Sequence, residues 1–368
     1  MHRRLTLART QHQLKQYPGA TQNLRSVLES NVPDDLKRPA LMELALVAQD
    51  EKNLSQAQQM FGQYLARWPK DSVIPEILLR QGLLYREMGL HNLAINKFYS
   101  VMTTALTLQP EAFDQHQRLV VLAQTEIAET QYQQGKYVEA VDSLKRLLKL
   151  DYPGLAKGQI QHRLVLALAN LHRSDDVVSE AQDFLARYPT LVERSEVRFV
   201  LASALKQLGR NSDALRQVMQ LLETQQNQAP QHPETLAYWQ RRSGNEIANQ
   251  LYVEGDFLHA LEIYQSLVGL DTTPAWVFPV WYQIGLVYER LAQPSKATAA
   301  YDQILLQSKT TATNSPPSVK SVIEMAKWRK DALQWQTGVH ARTLSLRQSV
   351  NLLSEAGSST DSPTATSP

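Results

Sequence analysis

The 368-residue sequence contains no cysteine. This excludes disulfides, thiol nucleophiles and thiolate metal sites within these residues, and it suits cytoplasm and periplasm equally. Long apolar runs are also missing. Stretches such as Leu164–Leu171 fall far short of the roughly 20 residues that span a bilayer. Neither sign of charge dominates: 38 Lys and Arg stand against 36 Asp and Glu, for a net charge of +2. No basic domain stands out, so composition makes no electrostatic case for nucleic acid. Pairs such as Lys145-Arg146 and Arg241-Arg242 read as solvated helix faces.

The motifs of common chemistries are absent as well. No Gly-rich loop precedes Lys-Ser or Lys-Thr, and neither H-E-x-x-H nor G-x-S-x-G occurs. The nine histidines include no pair at helical metal spacing, and His162 and His259 read as surface or interface residues. Gly154-x-x-x-Gly158 reads as a turn, and Asp34-Asp35 and Asp175-Asp176 as helix N-terminal caps. The residues therefore imply no enzyme activity, no cofactor and no metal.

What the chain does have is a repeat. Ala20, Ala57, Ala94, Ala140, Val177, Ala214, Ala260 and Ala297 recur at intervals of 37, 37, 46, 37, 37, 46 and 37 residues. Twelve residues before each anchor stand Ala8, Ala45, Gly82, Ala128, Val165, Ala202, Ala248 and Gly285, small enough for two helices to approach. The residue before each of these is bulky and apolar, from Leu7 to Ile284, except Gln81. Four after the anchor come Leu24, Phe61, Phe98, Leu144, Ala181, Val218, Tyr264 and Tyr301. Seven after it come Val27, Tyr64, Val101, Leu147, Phe184, Leu221, Leu267 and Ile304. Anchor, plus four and plus seven form one stripe of an α-helix. A second helix precedes it across a turn that often holds Gly: Gly89, Gly135, Gly209 and Gly255. Each unit is thus an antiparallel helix pair, with looser packing expected in repeats 5 and 6. A fixed period of this kind makes a solenoid, because each unit buries its apolar face on a neighbour.

The last unit carries a family pattern. Trp281-x-x-Ile284-Gly285-x-x-Tyr288, then Ala297-x-x-x-Tyr301, resembles the tetratricopeptide signature, and Gly82-x-x-Tyr85 with Ala94-x-x-x-Phe98 repeats most of it. The resemblance covers roughly residues 5–308 and implies an all-α, right-handed superhelix of eight repeats that holds a protein or peptide partner. Tyr64-Leu65-Ala66-Arg67-Trp68-Pro69 and Phe184-Leu185-Ala186-Arg187-Tyr188-Pro189 look like the repeat ends of bacterial envelope proteins, among them the β-barrel assembly lipoprotein and periplasmic division coordinators. An aromatic-Pro stop is also a general solenoid device.

Anchors three repeats apart are 120 residues apart, and Glu126-Ile127-Ala128, Tyr132 and Gly135 recur as Glu246-Ile247-Ala248, Tyr252 and Gly255. A duplicated three-repeat block is the preferred account. The additions after repeats 3 and 6 fall near Leu106–Gln117 and Gln226–Pro233, and helix extension plus a longer turn accommodates them. Met1-His2-Arg3-Arg4 lacks the apolar stretch of a signal peptide. Two readings stay open: the first helix is short, or the polypeptide begins upstream, with a signal or anchor. Beyond the solenoid (1–308), residues 309–318 read as a linker and 319–353 as a capping-helix region. There Val319, Val322, Ile323, Ala326, Leu333 and Trp335 point inward, and a weaker helix lies near Arg342–Leu353. Residues 354–368 read as a disordered Ser/Thr/Pro tail.

By the family analogy, the first helix of each pair lines the concave face, at eighteen, fifteen, eleven and eight residues before the anchor. That selects Met42, Leu46, Leu79, Leu83, Arg86, Leu122, Glu129, Tyr132, His162 and Leu166 in the first five repeats. In the last three it selects Phe199, Lys206, Arg242, Asn245, Asn249, Tyr252, Tyr282, Leu286 and Glu289. The candidate binding residues are Leu79, Leu83, Arg86, Glu129, Tyr132, Arg242, Asn245, Asn249, Tyr252 and Tyr282. Tight winding could instead bury several of them. Arg242, Asn245 and Asn249 only partly echo a carboxylate clamp. The leading function is a non-catalytic interaction scaffold. The alternatives are a regulatory or substrate-recruiting module of a larger enzyme or signalling system, an envelope assembly or division factor, and a self-assembling spacer.

Overall fold

Eight helix pairs occupy the positions that the spacing selects. Repeat 1 is α1 (His2–Gln13) and α2 (Tyr17–Glu29), and repeat 2 is α3 (Asp34–Asp50) and α4 (Leu54–Arg67). Repeat 3 is α5 (Ile74–Glu87) and α6 (His91–Leu108), and repeat 4 is α7 (Phe113–Gln133) and α8 (Tyr137–Leu148). Repeat 5 is α9 (Lys157–Asn170) and α10 (Ser174–Arg187), and repeat 6 is α11 (Arg194–Gln207) and α12 (Asn211–Leu222). Repeat 7 is α13 (Pro233–Glu254) and α14 (Phe257–Val268), and repeat 8 is α15 (Pro274–Arg290) and α16 (Pro294–Ser308). A last helix, α17, runs from Pro317 to Ser358. The structure is a computed structural model that describes residues 1–108, 113–224, 232–309 and 316–358, without the side chains of residues 106, 108, 113–116 and 349–358. No strand occurs among the described residues. Most of the linker and of the tail read from the sequence lies outside them. Two compact units divide the chain, Met1–Tyr188 with repeats 1–5 and Pro189–Pro368 with repeats 6–8 and α17.

The turn inside each repeat follows one rule. Five residues before the anchor the backbone is left-handed in all eight: Gly89, Gly135, Gly209 and Gly255, and equally Lys15, Lys52, His172 and Ala292, at φ between 54° and 87°. The next N–H then reaches back five residues, as from Leu90 to the Tyr85 carbonyl or from Asp256 to that of Leu251, at 2.8–3.1 Å across the eight repeats. This is the Schellman closure of a helix C-terminus. The residue that donates it also accepts the anchor's N–H, as in Ala140 to Lys136, and so begins the second helix. Closing one helix and opening the next takes only two or three residues between the helix ends, which forces the pair to run antiparallel.

The pair is locked where the small residue meets the plus-four side chain. A Cβ placed on Gly82 would lie 2.3 Å from the Phe98 ring, and one on Gly285 would lie 2.3 Å from the Tyr301 ring. All eight anchors and all the plus-four and plus-seven residues are buried. Volumes trade across the crossing: Gly82 faces Phe98, Ala248 shares a core with Tyr264, and in repeat 5 Val165 is matched with Ala181. Repeats 5 and 6 are therefore buried as fully as the others, without the looseness expected of them. Phe184 supplies at plus seven the bulk that Ala181 lacks.

Several sequence expectations need correction. Leu7 is 50% exposed on α1 and joins no buried core, unlike the matching residues of the later repeats. Trp335 is 69% exposed and points outward, whereas Val319, Ala326 and Leu333 are buried against repeat 8. Gly158 lies inside α9, not in a turn. The acidic pairs lie in the first turns of α3 and α10 but leave the cap position to Pro33 and Arg173. There they oppose the positive end of the helix dipole. The C-terminal stretch is one helix of 42 residues that begins at Pro317. Pro suits the first turn of a helix, and the interior Gly338 costs only about 1 kcal/mol.

The added residues lengthen helices, as expected. α7 and α13 have 21 and 22 residues and α6 has 18, against 12–17 in the others of repeats 1–8. The turns between them lie outside the described residues. The stops 120 residues apart share a geometry. The chain leaves α4 at Trp68 (φ −127°, ψ 65°) and α10 at Tyr188 (φ −120°, ψ 73°), each ring against the aromatic four residues earlier. α17 packs on α15 and α16 as the first helix of a ninth repeat would.

Two outcomes follow for stability. Gly285→Ala should lower it by about 1–3 kcal/mol through overpacking on Tyr301. Ala292→Gly should raise it by up to about 1 kcal/mol, because φ 55° is costly for any residue with a Cβ. Urea unfolding midpoints of the two variants check both signs.

Candidate functional site

In the first unit, the outward side of the first helices forms a cleft of about 540 Å³ between repeats 1, 2 and 3. Its floor is Pro39, Met42 and Leu46 on α3, with Tyr64 from α4. Met42 and Leu46 sit at positions the sequence assigned to the groove. They stay half-buried because their inner flanks pack on the core of repeat 2. The rim is charged and internally paired. Arg9 lies 3.6 Å from Glu43, and Arg80 lies 2.9 Å from Glu76. Arg38 bonds Asp35 at 2.8 Å and Asp71 at 3.1 Å.

Asp71 anchors the wall. Its carboxylate accepts from the Val73 N–H, from Arg38 and from the Tyr64 hydroxyl, each at 3.1 Å. Burial alone would raise the Asp71 carboxyl, but those donors outweigh it and hold it below the usual carboxylate range. Burial beside that carboxylate pushes the Tyr64 phenol up to about 12. Both groups therefore keep one protonation state across the physiological range, which suits a fixed wall and not a proton-transfer role. The sequence marked Tyr64 as core and did not find Asp71, because the Asp71 loop lies between repeats and belongs to no stripe.

The candidate binding residues fall into two sets, one in each unit. Leu79 and Leu83 are half-buried along α5, above the core of Phe98, Val101 and Ile127. Arg86 pairs with Glu126 of the next repeat. Glu129 pairs with Arg163 at 2.8 Å, and that guanidinium sits 4.5 Å from the Tyr132 ring centroid. In the second unit, Arg242 bonds the Tyr238 hydroxyl at 2.9 Å and stands 5.3 Å from both the Phe199 and Trp239 rings. Asn249 accepts from the Tyr264 hydroxyl at 2.5 Å, and Arg290 donates to the Tyr252 hydroxyl at 3.3 Å. Asn245 is half-buried, and Tyr282 lies 5.8 Å from the Tyr301 ring.

A rule emerges at eight residues before the anchor. His12, Arg86, Tyr132, Tyr252 and Glu289 each contact the next first helix, through Glu43, Glu126, Arg163, Arg290 and, on α17, Arg329. These polar side chains act as struts between repeats. The sequence placed Arg86, Tyr132, Tyr252 and Glu289 on the groove face but did not find His12 or the partners, which lie 31–40 residues away.

Profiles for the tetratricopeptide repeat match residues 123–154 and 278–309. Each stretch is one unit around Ala140 or Ala297. A comparison with curated protein sequences yields no match. Among solved structures, the C-terminal part of a TPR repeat-containing protein from Cytophaga hutchinsonii superposes with a TM-score of 0.54 at 13% identity, over 73% of this chain and 96% of that one. A tetratricopeptide repeat protein from Parabacteroides merdae gives 0.45 at 12% identity, over 79% and 98%. MamA AMB-1 gives 0.37 at 21% identity, over 50% and 88%. Two stretches of the chain thus match the tetratricopeptide repeat, and its fold is that of tetratricopeptide-repeat solenoids; such repeats serve as protein–protein interaction scaffolds. Among the described residues, no helix is long and apolar enough to cross a membrane, and no His/Cys/Asp/Glu cluster suits a metal ion.

The strut of repeat 1 places an ionisable imidazole against a rim residue of the cleft. His12 Nδ1 lies 2.7 Å from Glu43, a rim residue, and Nε2 lies 3.0 Å from Asp50. Burial disfavours the imidazolium, but the two carboxylates outweigh it and raise His12 above its ordinary 6.5. A raised folded-state value means that the stabilisation is complete below pH 6.5 and is lost as pH climbs through that value. The melting temperature of the wild type should thus fall, relative to His12→Gln, as pH rises above 6.5. Parallel curves would remove His12 from this role.

Proposed function

We propose that the chain is a non-catalytic scaffold that docks a segment of a partner protein on the first-helix face of repeats 1–3. The cleft floored by Met42 and Leu46 carries this reading. It joins an apolar floor to a rim whose charges are already paired. Such a surface favours an apolar anchor side chain over a strongly charged ligand, with polar rim groups fixing the segment's direction. Leu79 and Leu83 extend the apolar strip along α5. Glu129 and Tyr132, with Arg163 between them, form a polar end to the same unit. In the second unit, Arg242, Asn245, Asn249, Tyr252 and Tyr282 form a separate polar and aromatic surface, suited to a second contact with the partner.

Arg86, Tyr132 and Tyr252 are poor probes of binding, because each also joins neighbouring repeats. Met42→Glu and Leu46→Glu are better, since both side chains reach the cleft. Each should reduce capture of the partner at least tenfold in quantitative affinity capture, with helicity unchanged. A loss of 1.4 kcal/mol gives that factor. Val253→Glu, at a site 82% exposed in the second unit, should capture as the wild type does. Equal capture by all three variants would remove the partner from this cleft.

A further inference from the structure

α17 has a second apolar seam that faces no repeat. Its inner face is consumed by repeat 8: Val319, Ala326 and Leu333 are buried there. On the opposite side, Met325, Trp328, Ala332, Trp335, Val339, Arg342 and Leu346 recur at alternating steps of three and four residues. That is three heptads of a coiled-coil seam. Its large side chains are open: Trp328 64% exposed, Trp335 69%, Val339 42% and Leu346 67%. From Gln334 to Gln348 every residue is exposed, so this half of the helix leans on nothing. A free helix of that length containing Gly338, Thr337, Val339 and Thr343 is marginal in water.

We infer that this seam pairs with the same seam of a second copy, as an antiparallel two-helix contact centred on Trp335. Self-complementarity decides the occupant and its direction. An antiparallel pair centred there sets Trp335 against its own copy, Ala332 of one chain beside Val339 of the other, and Met325 beside Leu346. Small meets large in the middle layers, as interdigitating seams require. The one charged seam residue, Arg342, falls beside Trp328 of the other copy, where a guanidinium gains cation–π attraction. A parallel, in-register pair would instead place Arg342 against Arg342. The antiparallel centring also brings Glu324 of one copy level with Arg347 of the other. Because repeat 8 occupies the opposite side of α17, both copies can meet along the seam without displacing it. The contact is isologous and closes as a dimer.

The test is the mass of the full chain in solution, by light scattering and sedimentation equilibrium up to about 100 µM, where a contact of micromolar Kd is saturated. The wild type should approach twice 41.7 kDa. Trp335→Glu should remain at 41.7 kDa with its repeat helicity intact, because the side chain is exposed. Leu344→Glu changes an exposed residue of the same helix off the seam and should still dimerise. A wild type that stays monomeric overturns the inference. So does a dimer that survives Trp335→Glu, or one lost equally with Leu344→Glu.

Discussion

The helix crossing inside each repeat is the constraint on which the rest depends. Two helices can lie this close only where one presents almost no side chain. At Gly82 and Gly285 the facing aromatic ring fills even the space of a Cβ. The left-handed turn residue five before each anchor aims the second helix back at that point. Turn and crossing together set each unit. Within each compact unit the apolar remainder of each pair must then be covered by the next pair, so each compact unit grows by stacking and not by enlarging one core.

Within each compact unit, stacking places first helices side by side and leaves their other face open. The polar residues there carry two duties. Arg86, Tyr132 and Tyr252 tie neighbouring repeats together, while Met42, Leu46, Leu79 and Leu83 stay half-open between the ties. The cleft in the first unit lies where the struts leave an apolar floor uncovered. Its charges are neutralised within the wall, so the recognition proposed for it rests on shape and apolar burial more than on long-range attraction. The open seam of α17 extends the same economy: a helix whose inner face closes the last repeat keeps its outer face for another chain.

Much of the fold was legible in the sequence, because it is periodic. The eight anchors and the stripes beside them gave helix number, pairing and core without any long-range information. The site was less legible. The groove positions were placed by analogy, and Met42 and Leu46 do line the cleft. The partners of Arg86 and Tyr132 could not be read, since a strut joins residues outside any local period. Non-glycine turn residues such as Lys52 and Ala292 gave no composition signal, because the hydrogen-bonded turn imposes the left-handed conformation on them. Trp335 was read inward because a helix with two apolar stripes does not say which one its neighbour covers.

The most direct test of this account replaces the crossing pair of repeat 4 with that of repeat 3. Ala128→Gly with Leu144→Phe writes the Gly–Phe pair into a unit that uses Ala and Leu. The account predicts that Leu144→Phe alone destabilises by about 1–3 kcal/mol through overpacking. The double variant should recover most of that loss in urea unfolding, despite the helix cost of about 1 kcal/mol for the added glycine. Losses that simply add would show that the two positions do not share one space, and would contradict the crossing as the organising contact.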